Sequence, residues 1–210
     1  MVKFRLAQRE DINQLVDIHI ESGKGQPGGF MYKLGYAFMR KYYAILLSEK
    51  SSLVILAEDD DGLIYGFCSG TLNVSEHIQK LKRNRFALFF YVFPELLRSP
   101  KLFSEMYKRY KHLNNNNSIK YNNKEGVRNE YWVWRDDCDK SLSTHLFKTW
   151  LNIVFSFGYD SVKGEVDSVN KHIVVFHKIL GAKVLDEVNL PDGRKRYFVE
   201  YKNVKGKMNF

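Results

Sequence analysis

Cysteine is scarce in this chain. Cys68 and Cys138 are the two in 210 residues, and neither stands in a paired-spacing motif, which excludes a disulfide framework and a zinc site as organising features. Long apolar runs are missing too: the longest, from Phe86 to Phe93, is far too short to span a bilayer. The opening Met1-Val2-Lys3-Phe4-Arg5-Leu6 has no apolar core of the kind a signal peptide needs. A reducing cytoplasm is therefore the expected compartment. Acidic residues are outnumbered, 24 against 33 basic, for a formal charge of +9. That surplus favours anionic partners (nucleotide cofactors, nucleic acid, an acidic membrane surface) without choosing among them. With no recognised nucleic-acid-binding motif, nucleic acid is not the expected partner.

What the chain does have is apolar and aromatic mass: 44% hydrophobic residues, with 15 Phe, 13 Tyr and 3 Trp. This suits a globular protein, read as a single domain over residues 1–210 with an insertion inside it. Val2 to Ala7 alternates like a strand, and Asp11 opens a helix with Ile12, Leu15, Val16 and Ile20 on one face. Ser22 to Gly29 is a glycine-rich break, and Leu34, Phe38, Tyr42, Ile45 and Leu46 form the stripe of a second helix. Leu53–Ala57 and Leu63–Leu72 read as a hairpin about Asp59-Asp60-Asp61-Gly62. Residues 75–129 interrupt this rhythm with two or three helices, for which Pro94 and Pro100 suit starts, and then a polar loop from Asn114 to Asn129 expected to be mobile. A closing hairpin runs through Lys183–Val188 and Lys195–Tyr201, turning at Pro191-Asp192-Gly193.

The most informative stretch is Glu130 to Gly181. It reads as strand Glu130–Trp134, loop Arg135–Lys140, helix Ser141–Phe157, strand Ser161–Val166 and a last helix from Asn170. In the strand, Tyr131 and Val133 face one side and Trp132 and Trp134 the other. A loop feeding a helix N-terminus offers backbone N–H groups and a positive dipole end to an anion such as a pyrophosphate. Ser141 and Ser143 are small enough to let one approach, and they equally suit an ordinary strand-to-helix connection with capping serines.

The run Asn170-Lys171-His172-Ile173-Val174-Val175-Phe176-His177-Lys178-Ile179-Leu180-Gly181-Ala182 resembles the GNAT superfamily of acyl-CoA-dependent N-acetyltransferases. That family has an asparagine at the end of its fifth strand and a helix closing on an aromatic-x-lysine-leucine-glycine run. Ala7-Gln8-Arg9-Glu10-Asp11-Ile12 is similar to the family's opening, and the order of elements matches over residues 2–201 apart from the insertion. The resemblance implies an α/β (α+β) fold with a mixed, mostly antiparallel central sheet flanked by helices and a helical insertion after the third strand. It implies acetyl-CoA as co-substrate, no metal, and a small primary amine as acceptor. The run Gly29-Phe30 before a helix, together with the basic helical insertion after the third strand, resembles members from bacterial surface-glycan gene sets, whose assumed acceptors are amino sugars. A catalytically inactive binding module and a membrane-associated accessory protein are the alternatives.

The implied roles follow by position. Main-chain groups of Val133 and Arg135 would hold the pantetheine arm, loop N–H groups from Cys138, Asp139, Lys140, Ser141, Leu142 and Ser143 would take the pyrophosphate, and Asn170 would sit near the thioester. The loop departs from the family, which has glycines where Asp139, Ser141 and Ser143 stand; a carboxylate at Asp139 repels a pyrophosphate. His177 occupies the place of the family's tyrosine acid, where an ordinary imidazole, of pKa about 6.5, could donate a proton. Glu130 is the expected base, with Asp136 or a water chain as alternatives, and Gly28, Gly29 and Phe30 belong to the acceptor loop. The insertion, with basic flanks from Lys82 to Lys111 around its aromatic centre, fits three uses: a lid packed on the domain, a homodimer contact, or peripheral membrane contact through residues 82–111.

Overall fold

The structure, a computed structural model, describes residues 1–26, 29–115, 124–190 and 193–203. The elements in chain order are β1 (Lys3–Leu6), α1 (Ile12–Gly25), α2 (Tyr36–Leu46), β2 (Ser52–Glu58), β3 (Ile64–Thr71), α3 (Val74–Arg83), α4 (Arg85–Arg98), α5 (Pro100–Asn115), β4 (Val127–Trp134), α6 (Ser141–Ser156), β5 (Ser161–Asp167), α7 (Lys171–Ile179), β6 (Lys183–Asn189) and β7 (Lys195–Lys202). The strands form one mixed sheet ordered β1-β2-β3-β4-β5-β7-β6. Every neighbouring pair is antiparallel except β4 and β5. This is the mixed, mostly antiparallel sheet flanked by helices that the sequence implies.

Apolar stripes decide which helix covers which face. Leu15 and Ile18 of α1 and Met39, Tyr43 and Leu46 of α2 pack on Val54, Leu56 and Phe67. On the opposite face Leu146, Phe147, Trp150 and Val154 of α6 cover Leu53, Ile55, Cys68 and Val162. Each such side chain contributes about 1.5–3 kcal/mol by burial, so the two layers together supply most of the driving force. Trp150 shows how tight the second layer is. Its indole N–H donates to Leu53 O at 3.0 Å, and a methyl group on Gly70 would come within 2.4 Å of its ring.

Two features of β4 shape the functional region. Its parallel register with β5 spans Val127↔Val162 and Arg128↔Lys163, after which the two strands part. Its register with β3 steps from Asn129↔Gly70 to Tyr131↔Ser69, leaving Glu130 as the extra residue of a bulge. A bulge reverses the alternation of side chains. Val127 accordingly packs on the α6 layer and Val133 on the α1–α2 layer, although both are odd-numbered.

The insertion is three helices laid on the α1–α2 side. The buried His77 on α3 bonds through Nδ1 to the buried Glu49 carboxylate at 2.9 Å, and Asn73 caps α3 by accepting from Glu76 N at 3.2 Å. Val92 of α4 and Leu102 of α5 close a small cluster with Leu34.

Three expectations need correction. Pro94 sits inside α4, not at a start; the cost is confined to the Phe90 carbonyl, which loses its helical donor. α1 continues through Ser22–Gly25 into the expected break. β4 begins at Val127, before Glu130, because Val127 is buried against α6 and pairs with Val162. Pro100 does begin α5, which ends on Asn114 and Asn115. The rest of the expected Asn114–Asn129 loop before residue 124, and the turn residues Pro191 and Asp192, lie outside the described residues.

Candidate active site

Where β4 and β5 part, a cavity of about 600 Å³ opens. One wall carries Asn170, Ile173 and His177 from α7 and its approach, the floor carries Arg128 to Val133 of β4, and the other wall carries His19, Gly29 and Phe30. Six of the residues expected from sequence are thus brought together: Glu130, Val133, Asn170, His177, Gly29 and Phe30. Gly28 lies outside the described residues.

Two histidines face each other across this cavity in matching settings. His177 bonds through Nδ1 to the Tyr201 hydroxyl, and its ring packs among Trp132, Phe147 and Phe176. His19 bonds through Nδ1 to the Tyr43 hydroxyl at 2.6 Å and tilts against the Tyr131 ring at 4.6 Å. Burial pushes both imidazoles down to about 4 and holds both phenols above their ordinary range. At neutral pH each pair is uncharged, so His177 is not the imidazolium donor that its ordinary pKa suggests. Neither Nε2 has a hydrogen-bond partner among the described residues. His19 was not among the sequence candidates; the signal was a histidine within the Leu15, Val16, Ile20 stripe just before the glycine-rich loop.

Charge in the cavity is arranged in pairs. Arg128 Nε donates to Glu130 at 2.8 Å, Arg196 Nη1 to Glu165 at 2.9 Å, and Arg194 Nη1 to Asp167. Arg128 and Glu130 are two residues apart on β4, so ordinary strand alternation puts both side chains on the same side. Arg109 from α5 lies over the Phe30 ring, 4.3 Å from its centroid, so the insertion roofs the loop that carries Gly29 and Phe30. Gly29 is needed there: a methyl group on it would fall 2.4 Å from Gly23 O. The lining therefore holds four arginines and three carboxylates. Asp136 is no part of it; it is exposed and paired with Lys140 at 2.7 Å.

The main chain of β4 corrects one assignment. Arg135 N donates to Tyr65 O at 2.8 Å, and the Arg135 guanidinium to Ile64 O at 3.0 Å, so Arg135 is committed to β3. Strand alternation gives the main-chain groups of Val133 the same direction. The groups that face the gap beside β5 belong to Trp132 and Trp134 instead.

The loop from Arg135 to Ser143 is closed on itself. The Asp139 carboxylate accepts from Ser141 N at 2.9 Å and from Ser141 Oγ at 2.8 Å, and those two bonds hold it below the usual carboxylate range. Trp134 Nε1 donates to Asp139 O at 3.1 Å, and Trp132 Nε1 to Ser143 O at 3.1 Å. Burial and the neighbouring Asp137 push the Cys138 thiol up. Lys140 is occupied by Asp136, and Leu142 packs against the α6 core. No residue here needs a positive φ, so serines replace glycines without backbone strain. An anion arriving at the start of α6 nevertheless finds a carboxylate already in place.

The whole architecture recurs in solved acetyltransferases. A Staphylococcus aureus N-acetyltransferase superposes with a TM-score of 0.57 at 12% identity, over 96% of this chain and 97% of that one. The fold is that of GNAT-type N-acetyltransferases. A Salmonella typhimurium protein solved with its cofactor acetyl-CoA gives 0.56 at 12% identity, over 96% and 94% of the two chains. Spermidine N-acetyltransferase from Vibrio cholerae, solved with CoA and spermine, gives 0.58 at 9% identity, over 96% and 95%. No protein-family model matches the chain, and no curated protein sequence matches it.

Proposed function

We propose that this protein is an N-acetyltransferase that moves the acetyl group of acetyl-CoA to a primary amine of a small molecule, by direct attack in a ternary complex. One observation carries the reading. The cavity at the parting of β4 and β5 joins an unpaired strand edge, Asn170 and His177 on one side to Glu130, His19, Gly29 and Phe30 on the other.

The co-substrate supplies an activated acetyl thioester; the rest is the task of the chain. Main-chain groups of Trp132 and Trp134 hold the pantetheine arm as a sheet edge holds an added strand. An N–H on that edge stabilises negative charge as it develops on the acetyl oxygen. The amine attacks neutral, and Glu130, held in place by Arg128, takes the proton that leaves the nitrogen as the C–N bond forms. The C–S bond then breaks; neutral His177 donates a hydrogen bond from its Nε2–H to the departing thiolate, with the Tyr201 hydroxyl donating to Nδ1 behind it. The proton that Glu130 took is returned to the sulfur through solvent. One proton passes from nitrogen to sulfur overall.

The lining indicates the kind of amine. Four arginines against three carboxylates, with both histidines uncharged, leave a positive surplus. A polycation such as the spermine bound by the Vibrio cholerae enzyme meets repulsion in such a cavity. An amino sugar on a phosphate-bearing nucleotide or lipid carrier meets attraction, which agrees with the resemblance to proteins of surface-glycan gene sets. A second reading, a binding module without catalysis, is favoured by Asp139 alone, which occupies the phosphate end of the site.

Calorimetry with acetyl-CoA, followed by acetyl transfer to amino sugars, polyamines and peptide N-termini, tests this. The expected outcome is binding, acetylation of amino sugars above polyamines, and a turnover lowered about 10²–10⁴-fold in Glu130→Gln. His177→Phe is expected to lower turnover with KM for the amine unchanged. Absence of heat at high-micromolar acetyl-CoA would sink the enzyme reading; unchanged turnover in His177→Phe would remove that residue from the mechanism.

A further inference from the structure

The helix α4 carries two apolar stripes where one is needed for packing. Leu88, Val92 and Leu96 face inward against α2, Leu34, Leu102 and Met106. Phe86, Phe89, Phe90, Phe93 and Leu97 recur at helical spacing on the opposite side, and all are exposed. Phe86 is 75% and Phe90 74% accessible, values seldom tolerated for aromatics on a soluble surface. The next helix repeats the pattern: Leu102 and Met106 turn inward, while Phe103 and Tyr107 are exposed.

Basic residues border this aromatic face. Lys82, Arg83, Arg85, Arg98, Lys101, Lys108 and Lys111 are all exposed, and Arg85 lies over the Phe86 ring at 4.8 Å. Residues 74–111 hold nine basic and three acidic side chains, most of the positive surplus of the whole chain. Two of the three acids are already matched, Glu95 by Arg98 and Glu105 by Lys33. No helix among the described residues is long and apolar enough to cross a membrane. Exposed aromatics ringed by lysine and arginine are the pattern of a helix lying in the headgroup layer, rings below and charges at the phosphates.

We propose that the outer face of α4 and α5 docks this protein on an anionic phospholipid surface. Charge decides against a second copy of the chain as the occupant: pairing this face with itself would oppose two strongly positive patches, whereas a phosphate-rich surface neutralises them. The placement also has a consequence for the cavity. Arg109, on the same helix as the outward Phe103 and Tyr107, roofs the acceptor loop at Phe30, so docking sets the acceptor entrance beside the lipid headgroups. The proposal stands on the surface alone and does not depend on catalysis.

Vesicle co-sedimentation with the full chain tests it, using phosphatidylcholine alone and phosphatidylcholine mixed with phosphatidylglycerol. The expected result is sedimentation with the mixed vesicles only, release by high salt, and about tenfold weaker binding in Phe86→Asp/Phe90→Asp. Both residues are exposed, so an unchanged circular dichroism spectrum should accompany the loss. Lys82→Glu/Arg85→Glu should weaken binding to the mixed vesicles as well. The proposal is overturned if the wild type stays in the supernatant with anionic vesicles, or if the aromatic variant binds as the wild type does. It is equally overturned if light scattering shows a dimer that Phe90→Asp splits, which would assign the face to a second copy.

Discussion

The cavity beside β4 and the loop that leaves β4 are adjacent in the chain and opposite in how their polar groups are used. In the cavity, Nε2 of His19 and of His177 and the side-chain amide of Asn170 have no hydrogen-bond partner among the described residues, though the cavity exposes them. In the loop, Asp139, Ser141, Lys140 and Asp136 satisfy one another, and the two indoles of β4 tie down Asp139 O and Ser143 O. The end of the site that would meet an acetyl group is ready for a ligand. The end that would meet a pyrophosphate must first be opened. Affinity for acetyl-CoA is therefore expected to be limited by the loop, and turnover by the cavity.

The largest effect that separates the two regions is on stability against pH. His19 and His177 titrate at about 4 in the folded protein against an ordinary 6.5. Above pH 6.5 the imidazoles are neutral in both folded and unfolded chains and add no pH dependence. As pH falls from 6.5 towards 4 the unfolded chain takes up protons that the folded one refuses, so stability is lost in that window. Each histidine accounts for a loss on the order of 3 kcal/mol. Urea midpoints measured across this range should fall steeply in the wild type and less steeply in His19→Gln and in His177→Phe. An equal slope in all three would refute the burial of these rings. Asp139, exposed and held below the usual carboxylate range by Ser141, should act only at the acid end of that curve, where the unfolded carboxyl begins to take up its proton first.

The next effect comes from breaking the loop's closure. Asp139→Ala removes the carboxylate from the start of α6 and frees the Ser141 N–H. Acetyl-CoA should then bind about tenfold tighter, about 1.4 kcal/mol, while the lost cap lowers stability by about 1 kcal/mol. Asp139→Asn, which keeps an oxygen acceptor and drops the charge, should recover the stability and part of the gain. Weaker binding in Asp139→Ala would mean that the carboxylate organises the loop for the ligand and does not exclude it.

How far the sequence discloses this molecule depends on whether the relevant signal is local. Helix stripes and strand alternation located the elements outside the insertion, because apolar periodicity records which face is buried. The insertion reads only as two or three helices, and Pro94, which suits a helix start in the sequence, lies inside α4. The bulge at Glu130 was hidden: nothing in Arg128-Asn129-Glu130 distinguishes a loop from a strand that turns its polar residues into a cavity. For the same reason the arginine–carboxylate pairs were missed, since Asp167 with Arg194 and Glu165 with Arg196 meet only through β5 beside β7. His19 lay in plain view within an apolar stripe, but its partner Tyr43 stands on another helix. The departure at Asp139 was legible as chemistry, whereas its consequence, a carboxylate bonded to Ser141, required the fold of the loop.

The smallest effect belongs to Lys140 and Asp136, and it sharpens the comparison most finely. Their side chains are 63% and 80% exposed and 2.7 Å apart, a pair worth well under 1 kcal/mol of stability because water and salt screen it. Its consequence lies in ligand binding, since Lys140 is a cation next to the occupied start of α6 that could meet a pyrophosphate. Asp136→Ala releases it and should tighten acetyl-CoA about two- to threefold at low salt, an advantage that fades as ionic strength rises. Lys140→Ala should weaken binding by a similar factor, leaving the melting temperature and the turnover at saturating acetyl-CoA unchanged. If Lys140→Ala changed turnover while affinity held, the loop would be acting on the chemistry in the cavity, and the division between the two regions would be wrong.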